Sequence, residues 1–322
     1  MNKKRQAIIA SNEISELKTY TLNGYPQKVL IEGKKRTNPM VLFLHGGPGT
    51  PIPFCEGCRG MFPEITENFT MVYWDQLGCG INNYPIDDSF SIDSFVQMTI
   101  DLITQLKNDY KECNINILAV SWGSVLAAKT ALAIPKLVHS VVTYGQVLKQ
   151  LFFNDEVFEA LQLSPMPNKD KEKLSVIMQS NALSDKEFRL MAGWIRKYTE
   201  GYQAKGGGKA PMGNIIKGLL TSPDYSFGDF KALMINGYQK NKSLFPQLIS
   251  LDLSDVLKKI TVPYLILQGD TDIVTSTKMI SCFVEEAQKE NLHYLQVPNS
   301  GHLPSAAGMN AIINTGFAFF RK

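Results

Sequence analysis

The first half of the chain alternates two kinds of hydrophobic pattern. Residues 40–44 are an unbroken apolar run, and 70–74 and 115–120 are apolar apart from Thr70 and Asn116, the pattern of parallel strands buried on both faces. Between the last two, Phe95, Met98, Leu102, Ile103 and Leu106 recur at helical spacing and predict a helix over 92–110. Residues 122–134 are rich in alanine and stop at Pro135, which predicts another helix. A further strand is expected over 137–144. Ahead of them all, 20–22 and 28–31 read as an antiparallel pair turned at Asn23-Gly24.

From 148 to 252 the alternation stops and only helical patterns remain. Ser184-Asp185-Lys186-Glu187 has the form of a capping box, followed by Phe188, Met191, Ala192, Ile195 and Tyr198 on one helical face. Gly206-Gly207-Gly208 reads as a flexible loop. Alternation then resumes with a strand over 264–267, a helix over 276–289, a strand over 293–297 and a last helix over 305–320. The economical architecture is α/β, a mostly parallel sheet flanked by helices. Its core takes in 1–147 and 253–322, and 148–252 form an inserted helical cap.

Composition narrows the function classes. In 322 residues the formal charge is only +3, with no basic stripe interleaved with aromatics, so nucleic acid is not an implied partner. Three basic residues, Lys3-Lys4-Arg5, stand near the start of the chain, yet the apolar run behind them is only Ala7-Ile8-Ile9-Ala10. That is shorter than the ~7–15 residues an export signal needs. Nothing approaches the ~18 apolar residues of a membrane span, so no membrane role is expected. Five scattered cysteines are not a secreted disulfide framework. Cys55 and Cys58 form the one close pair, and no second pair or histidine follows to make a metal site. These features predict a cytoplasmic protein with reduced thiols.

The candidate chemistry lies at strand ends. Ser121, between the strand 115–120 and the helix 122–134, stands where a nucleophile elbow belongs, with Ala119 and Gly123 as its small neighbours. From this segment alone a helix N-cap serine is an equal reading. The loop His45-Gly46-Gly47-Pro48-Gly49 follows a buried strand and can aim backbone N–H groups at an oxyanion. Gly47 and Trp122 are the expected donors, with His45 ordering the loop. His302 follows the last strand, and Asp272 follows the strand before it. The order Ser, Asp, His suits a hydrolytic triad, with Asp272 preferred over Asp270 because it lies further beyond the strand end.

Three strings carry a resemblance: His45-Gly46-Gly47-Pro48-Gly49, Tyr73-Trp74-Asp75-Gln76-Leu77-Gly78-Cys79-Gly80 and Ser121-Trp122-Gly123-Ser124. Together they resemble the proline iminopeptidase family of α/β-hydrolases over roughly 20–147 and 253–320. The resemblance implies the α/β-hydrolase fold with a helical cap and release of N-terminal residues from short peptides. It implies no cofactor and no metal, and it makes His45, Gly46, Asp75 and Gln76 residues of site architecture. It also implies a cap carboxylate for the substrate amine. The nearest match is Glu200 in Tyr198-Thr199-Glu200-Gly201, which has an extra threonine. Glu156 and Glu159 are further candidates. An esterase, lactonase or thioesterase on a small acyl substrate is the alternative, because fold and triad do not fix the acyl group. A catalytically silent binding protein is a third reading, motivated by Ala119 and the unusual cap.

Overall fold

The computed structural model describes residues 3–111, 113–179, 184–206, 208 and 212–321. Gly207, inside the run read as a loop, lies outside the described residues. The strands are β1 (Ile14–Leu22), β2 (Tyr25–Gly33), β3 (Met40–Leu44), β4 (Thr70–Tyr73), β5 (Ile115–Val120), β6 (Ser140–Tyr144), β7 (Tyr264–Gly269) and β8 (Leu292–Val297). Their order in the eight-stranded sheet is β1-β2-β4-β3-β5-β6-β7-β8. The chain divides into two compact units. One comprises Met1–Val142, Pro211–Asn241 and Ile260–Pro263, and the other Thr143–Ala210, Lys242–Lys259 and Tyr264–Lys322.

In the first unit, β1 and β2 pair antiparallel, with Leu22 opposite Tyr25. Asn23 and Gly24 both take positive φ, 47° and 83°, as a tight two-residue hairpin turn requires. The pair is longer than the sequence suggests, because β1 is half-buried over Ser15–Lys18 and shows no clean alternation there. β3 lies between β4 and β5, parallel to both, with Leu42 facing Val72 on one side and Ile117 on the other. Every residue of β3 is buried, which is why it reads as an unbroken apolar run.

The helix Ile92–Asp109 opens on a Ser91–Ser94 capping box and buries Phe95, Met98, Leu102, Ile103 and Leu106. Strand β6 starts three residues later than expected, since the Leu137 N–H closes a turn on the Ile134 carbonyl. A helix the sequence did not announce, Lys3–Ser11, is pinned by Arg5. That side chain is 5% exposed and donates to the carbonyls of Arg59 (2.6 Å), Gly57 (2.7 Å) and Gly218 (2.7 Å).

In the second unit β7 and β8 run parallel, Tyr264 facing Leu292. An antiparallel bridge, Lys149 to Asp252, and the Leu253 N–H on the Leu148 carbonyl tie together the two ends of the helical stretch. Ser184 and Glu187 form the reciprocal capping box read from the sequence. The last helix is not continuous. It runs as Ala306–Ala311, a π turn over Ile312–Gly316, then Phe317–Phe319. Asn314, Thr315 and Gly316, all weak helix formers, sit at the break. Among the described residues no helix is long and apolar enough to cross a membrane.

Candidate active site

Ser121 joins β5 to the helix Trp122–Ala133 with φ 51° and ψ −119°. An N-cap serine lies extended, and its hydroxyl accepts a helix N–H. Ser121 does neither, so the capping reading falls away. A positive φ is costly for a residue with a Cβ and marks a turn that its surroundings impose. Those surroundings are visible. A Cβ at Gly123 would collide with the carbonyl oxygens of Leu44 and His45, so only glycine lets the helix start this close to β3. Ala119 keeps its place in the ladder opposite Leu44 and is fully buried, so the methyl that departs from the usual glycine is accommodated.

The loop after β3 runs against this elbow. A Cβ at Gly46 would stand 3.4 Å from the Ser121 Cβ. Gly47 has φ 118°, and a side chain there would meet the Gly49 and Thr50 nitrogens at 2.6 and 2.8 Å, so the tight turn needs glycine. His45 is fully buried. Its Nδ1 donates to the Gly46 carbonyl (2.9 Å) and its Nε2 accepts the Gln76 N–H (3.0 Å), which fixes one neutral tautomer. Burial pushes its pKa down to about 4. Gln76 completes the knot: Nε2 donates to the His45 carbonyl (3.3 Å), and Oε1 accepts the Trp122 indole N–H (2.8 Å).

Asp75 belongs to the scaffold beneath. It exchanges backbone bonds with Glu56: the Glu56 N–H donates to Asp75 Oδ1 (3.1 Å), and the Asp75 N–H donates to Glu56 Oε1 (3.2 Å). The Tyr225 hydroxyl and the Ile81 N–H both donate to Asp75 Oδ2. Desolvation raises Asp75 to about 6 and pushes Glu56 well above the usual carboxylate range. Cys55 and Cys58 lie 3.6 Å apart, sulfur to sulfur, and are free thiols. Burial, first of all, raises the Cys55 thiol well above its ordinary value. Among the described residues no group of three or more His, Cys, Asp or Glu could hold a metal ion.

In the second unit His302 Nδ1 lies 3.0 Å from Asp272 Oδ2. The rival Asp270 is occupied elsewhere, accepting the N–H groups of Asn299 and Ser300 (2.9 Å each) to shape the histidine loop. That loop is also held by the helical stretch. The His302 N–H donates to the Gly201 carbonyl (3.0 Å) and the Leu303 N–H to the Tyr202 carbonyl (2.8 Å). The rings of Phe152 and Tyr202 flank the imidazole at 6.2 and 5.9 Å. Glu200 therefore sits beside the histidine loop through its backbone, but its carboxylate faces Lys205 (3.3 Å). The Lys205 N–H and ammonium hold that carboxyl below its usual range. Glu156 accepts the Ser276 hydroxyl (2.7 Å), is half-buried, and is shifted upward by burial and by Asp272.

The structure thus gathers Ser121, Gly46, His45, Gln76 and Trp122 in one unit, and Asp272 with His302 in the other. Glu56, Tyr225, Gln268 and Thr275 were not singled out by the sequence. Glu56 and Tyr225 reach Asp75 from distant segments, while Gln268 and Thr275 flank Asp272 within seven residues, and no local motif marks any of the four.

Residues 39–306 match the family described as alpha/beta hydrolase fold, and the chain belongs to that family. It is 24% identical over 311 residues to the "Probable aminopeptidase YbaC" of Bacillus subtilis, covering 94% of this chain and 95% of that one. It is 28% identical over 149 residues to a proline iminopeptidase of Heyndrickxia coagulans, 46% of this chain and 48% of the relative. The crystal structure of a proline iminopeptidase from Mycobacterium smegmatis superposes with a TM-score of 0.58 at 17% identity, over 94% of this chain and 95% of that one.

Proposed function

For this member of the α/β-hydrolase-fold family, we propose a serine aminopeptidase that releases N-terminal residues from short peptides through an acyl-enzyme. The observation that carries the catalytic part is the conformation of Ser121. A serine held at positive φ between a strand and a helix, without capping that helix, has its strain explained by catalysis. In this reading Ser121 Oγ attacks the scissile carbonyl and His302 takes its proton. Asp272 holds the imidazole in the tautomer that leaves Nε2 to accept that proton. The N–H groups of Gly47 and Trp122 meet the developing oxyanion. His302 then protonates the leaving amine; in the second half water attacks the acyl-enzyme as His302 takes its proton, and the acyl–Oγ bond breaks as His302 returns that proton to Ser121. No cofactor enters the scheme. A cytoplasmic location fits five cysteines of which none forms a disulfide.

The aminopeptidase part is supported by the names of the relatives and needs a carboxylate for the substrate's amine. Glu156, half-buried and bonded to the neutral Ser276 hydroxyl, suits that role better than Glu200, which is engaged with Lys205. The second reading, an esterase or thioesterase, is favoured by that same engagement of Glu200. Alanine and proline p-nitroanilides, with free and with acetylated amines, separate the two readings, with p-nitrophenyl acetate as the ester. An aminopeptidase cleaves the free-amine anilides and loses them on acetylation. Rapid turnover of the ester with no anilide cleavage would leave the esterase reading standing. Ser121→Ala abolishes either activity, by roughly 10⁶-fold in kcat.

A further inference from the structure

We propose that Thr275 and Gln268 are positioning residues for the reaction, a buried relay that sets how the Asp272 carboxylate presents itself to His302. The proposal rests on the reading of Asp272 as the acid partner of His302. The two carboxylate oxygens are treated differently. Oδ1 accepts only backbone donors, the N–H groups of Val274 (2.8 Å) and Thr275 (3.1 Å). Oδ2 is the oxygen that meets His302 Nδ1, and it also accepts the Thr275 hydroxyl (2.7 Å) and the Gln268 amide (3.3 Å). Side-chain donors therefore converge on the oxygen that faces the base.

The proton arrangement of the relay is determined from its far end. Gln268 Oε1 accepts the Gln146 backbone N–H (3.0 Å), so the Gln268 amide must turn its NH₂ toward Thr275. There it donates to Thr275 Oγ1 (2.8 Å). The Thr275 oxygen is thus an acceptor toward Gln268, and its single proton goes to Asp272. Gln146 is itself held, its Oε1 accepting the Tyr264 hydroxyl (2.7 Å) and its Nε2 donating to the Val147 carbonyl (2.7 Å). Gln146, Tyr264, Gln268 and Asp272 are fully buried and Thr275 is 1% exposed, so water does not offer substitute partners. Among the described residues the charged or titratable neighbours of this pair are Glu156, Asp270, Tyr144 and Tyr202, the last bonded to Arg196, and none of them is bonded to the Asp272 carboxylate.

A relay that merely satisfies buried polar atoms and one that tunes the acid make different predictions. Each donor on Oδ2 draws off negative charge that would otherwise stabilise a protonated His302. Losing one leaves more charge on the ring's side and holds the proton more tightly. The full chain is assayed with p-nitrophenyl acetate, and kcat/KM is followed against pH, because its acid limb reports the base in the free enzyme. Thr275→Val keeps the shape and removes the hydroxyl. We expect the acid limb to move to higher pH by about half a unit. We also expect kcat to fall about ten-fold while KM stays within about two-fold. Thr275→Ser restores both. Gln268→Met moves the limb the same way by less, and it decides the matter if Thr275→Val does not fold. An acid limb unmoved in the folded variants overturns the relay, whatever happens to the rate. Asp272→Asn serves as the control. If it keeps full activity, the acid assignment itself has failed; if it is inactive while both limbs stay put, only the relay falls.

Discussion

The molecule buries two histidines near the ends of its strands, and they do opposite things. His45 has both ring nitrogens committed to backbone groups, Nδ1 to the Gly46 carbonyl and Nε2 to the Gln76 N–H. Its proton affinity is lowered by burial with no carboxylate to compensate. It can neither accept a proton nor give one without breaking the loop it orders. His302 has a carboxylate on Nδ1, and that carboxylate is fed by four other donors. An imidazolium there has a countercharge waiting. Burial does not distinguish the two rings, at 0% and 8% exposed. The partner on Nδ1 does, which makes one ring a strut and the other a candidate base.

The largest effect that could break this contrast comes from deleting each ring in turn. His302→Ala should cost roughly 10⁶-fold in kcat, as loss of a triad member does when the residues act as a unit. His45→Ala leaves the Gln76 N–H without its partner and should cost about 1–3 kcal/mol of stability. The pH profile of whatever activity remains should keep its shape. Turnover and urea midpoints measured on both variants decide it. A His45 variant that folds normally yet loses its acid limb would reverse the assignment.

A smaller effect sharpens the strut side. Gln76 binds the His45 carbonyl and the Trp122 indole at once, so it ties the glycine loop to the start of the elbow helix. If Gly47 and Trp122 supply the oxyanion donors, Gln76→Leu misplaces them relative to each other. The expected loss is about 10²–10³-fold in kcat, the size of losing one such donor, with KM little changed. Fluorophosphonate labelling of Ser121 should slow in parallel. Labelling at the wild-type rate would show that Gln76 supports folding alone.

The two regions were not equally legible. The glycine loop, the Asp-Gln segment and the elbow are contiguous strings whose geometry is dictated locally. Gly47 and Gly123 stand where no Cβ fits, and the sequence displays them directly. The Asp272–His302 pair could be anticipated from strand order, because loops at successive strand ends converge. What surrounds the pair could not. Gln268 reads as one polar residue in an apolar strand, and Thr275 as one of several threonines in a loop. Gln268 precedes Asp272 by four residues and Thr275 follows it by three, but the string does not display that both meet one carboxylate oxygen. Glu56 lies hidden between two cysteines, and its partner Asp75 is 19 residues further along. The Lys3–Ser11 helix escaped for a related reason: its hold on the fold is Arg5, a charge that composition alone assigns to solvent.

The last and smallest test uses acid to separate the strut from its surroundings. His45 is shifted from an ordinary 6.5 down to about 4. Above pH 6.5 the ring is neutral in both folded and unfolded chains, and its contribution to stability is complete. As pH falls below 6.5 the unfolded chain takes up a proton that the folded one refuses until about pH 4, so stability is lost across that window. Asp75 works in the other direction. Its folded value is raised from 3.8 to about 6, so acidification through that range favours the folded state. The wild-type chain therefore shows two opposed slopes in one unit, and removing one exposes the other. His45→Gln should be less stable than wild type at pH 7, and the deficit should shrink by about 2–3 kcal/mol at pH 4.5, at ~1.4 kcal/mol per pH unit. Urea unfolding of both chains at the two pH values measures it. A deficit that stays constant would mean that His45 is protonated in the folded state as readily as in the unfolded one, and the distinction between strut and base would lose its electrostatic footing.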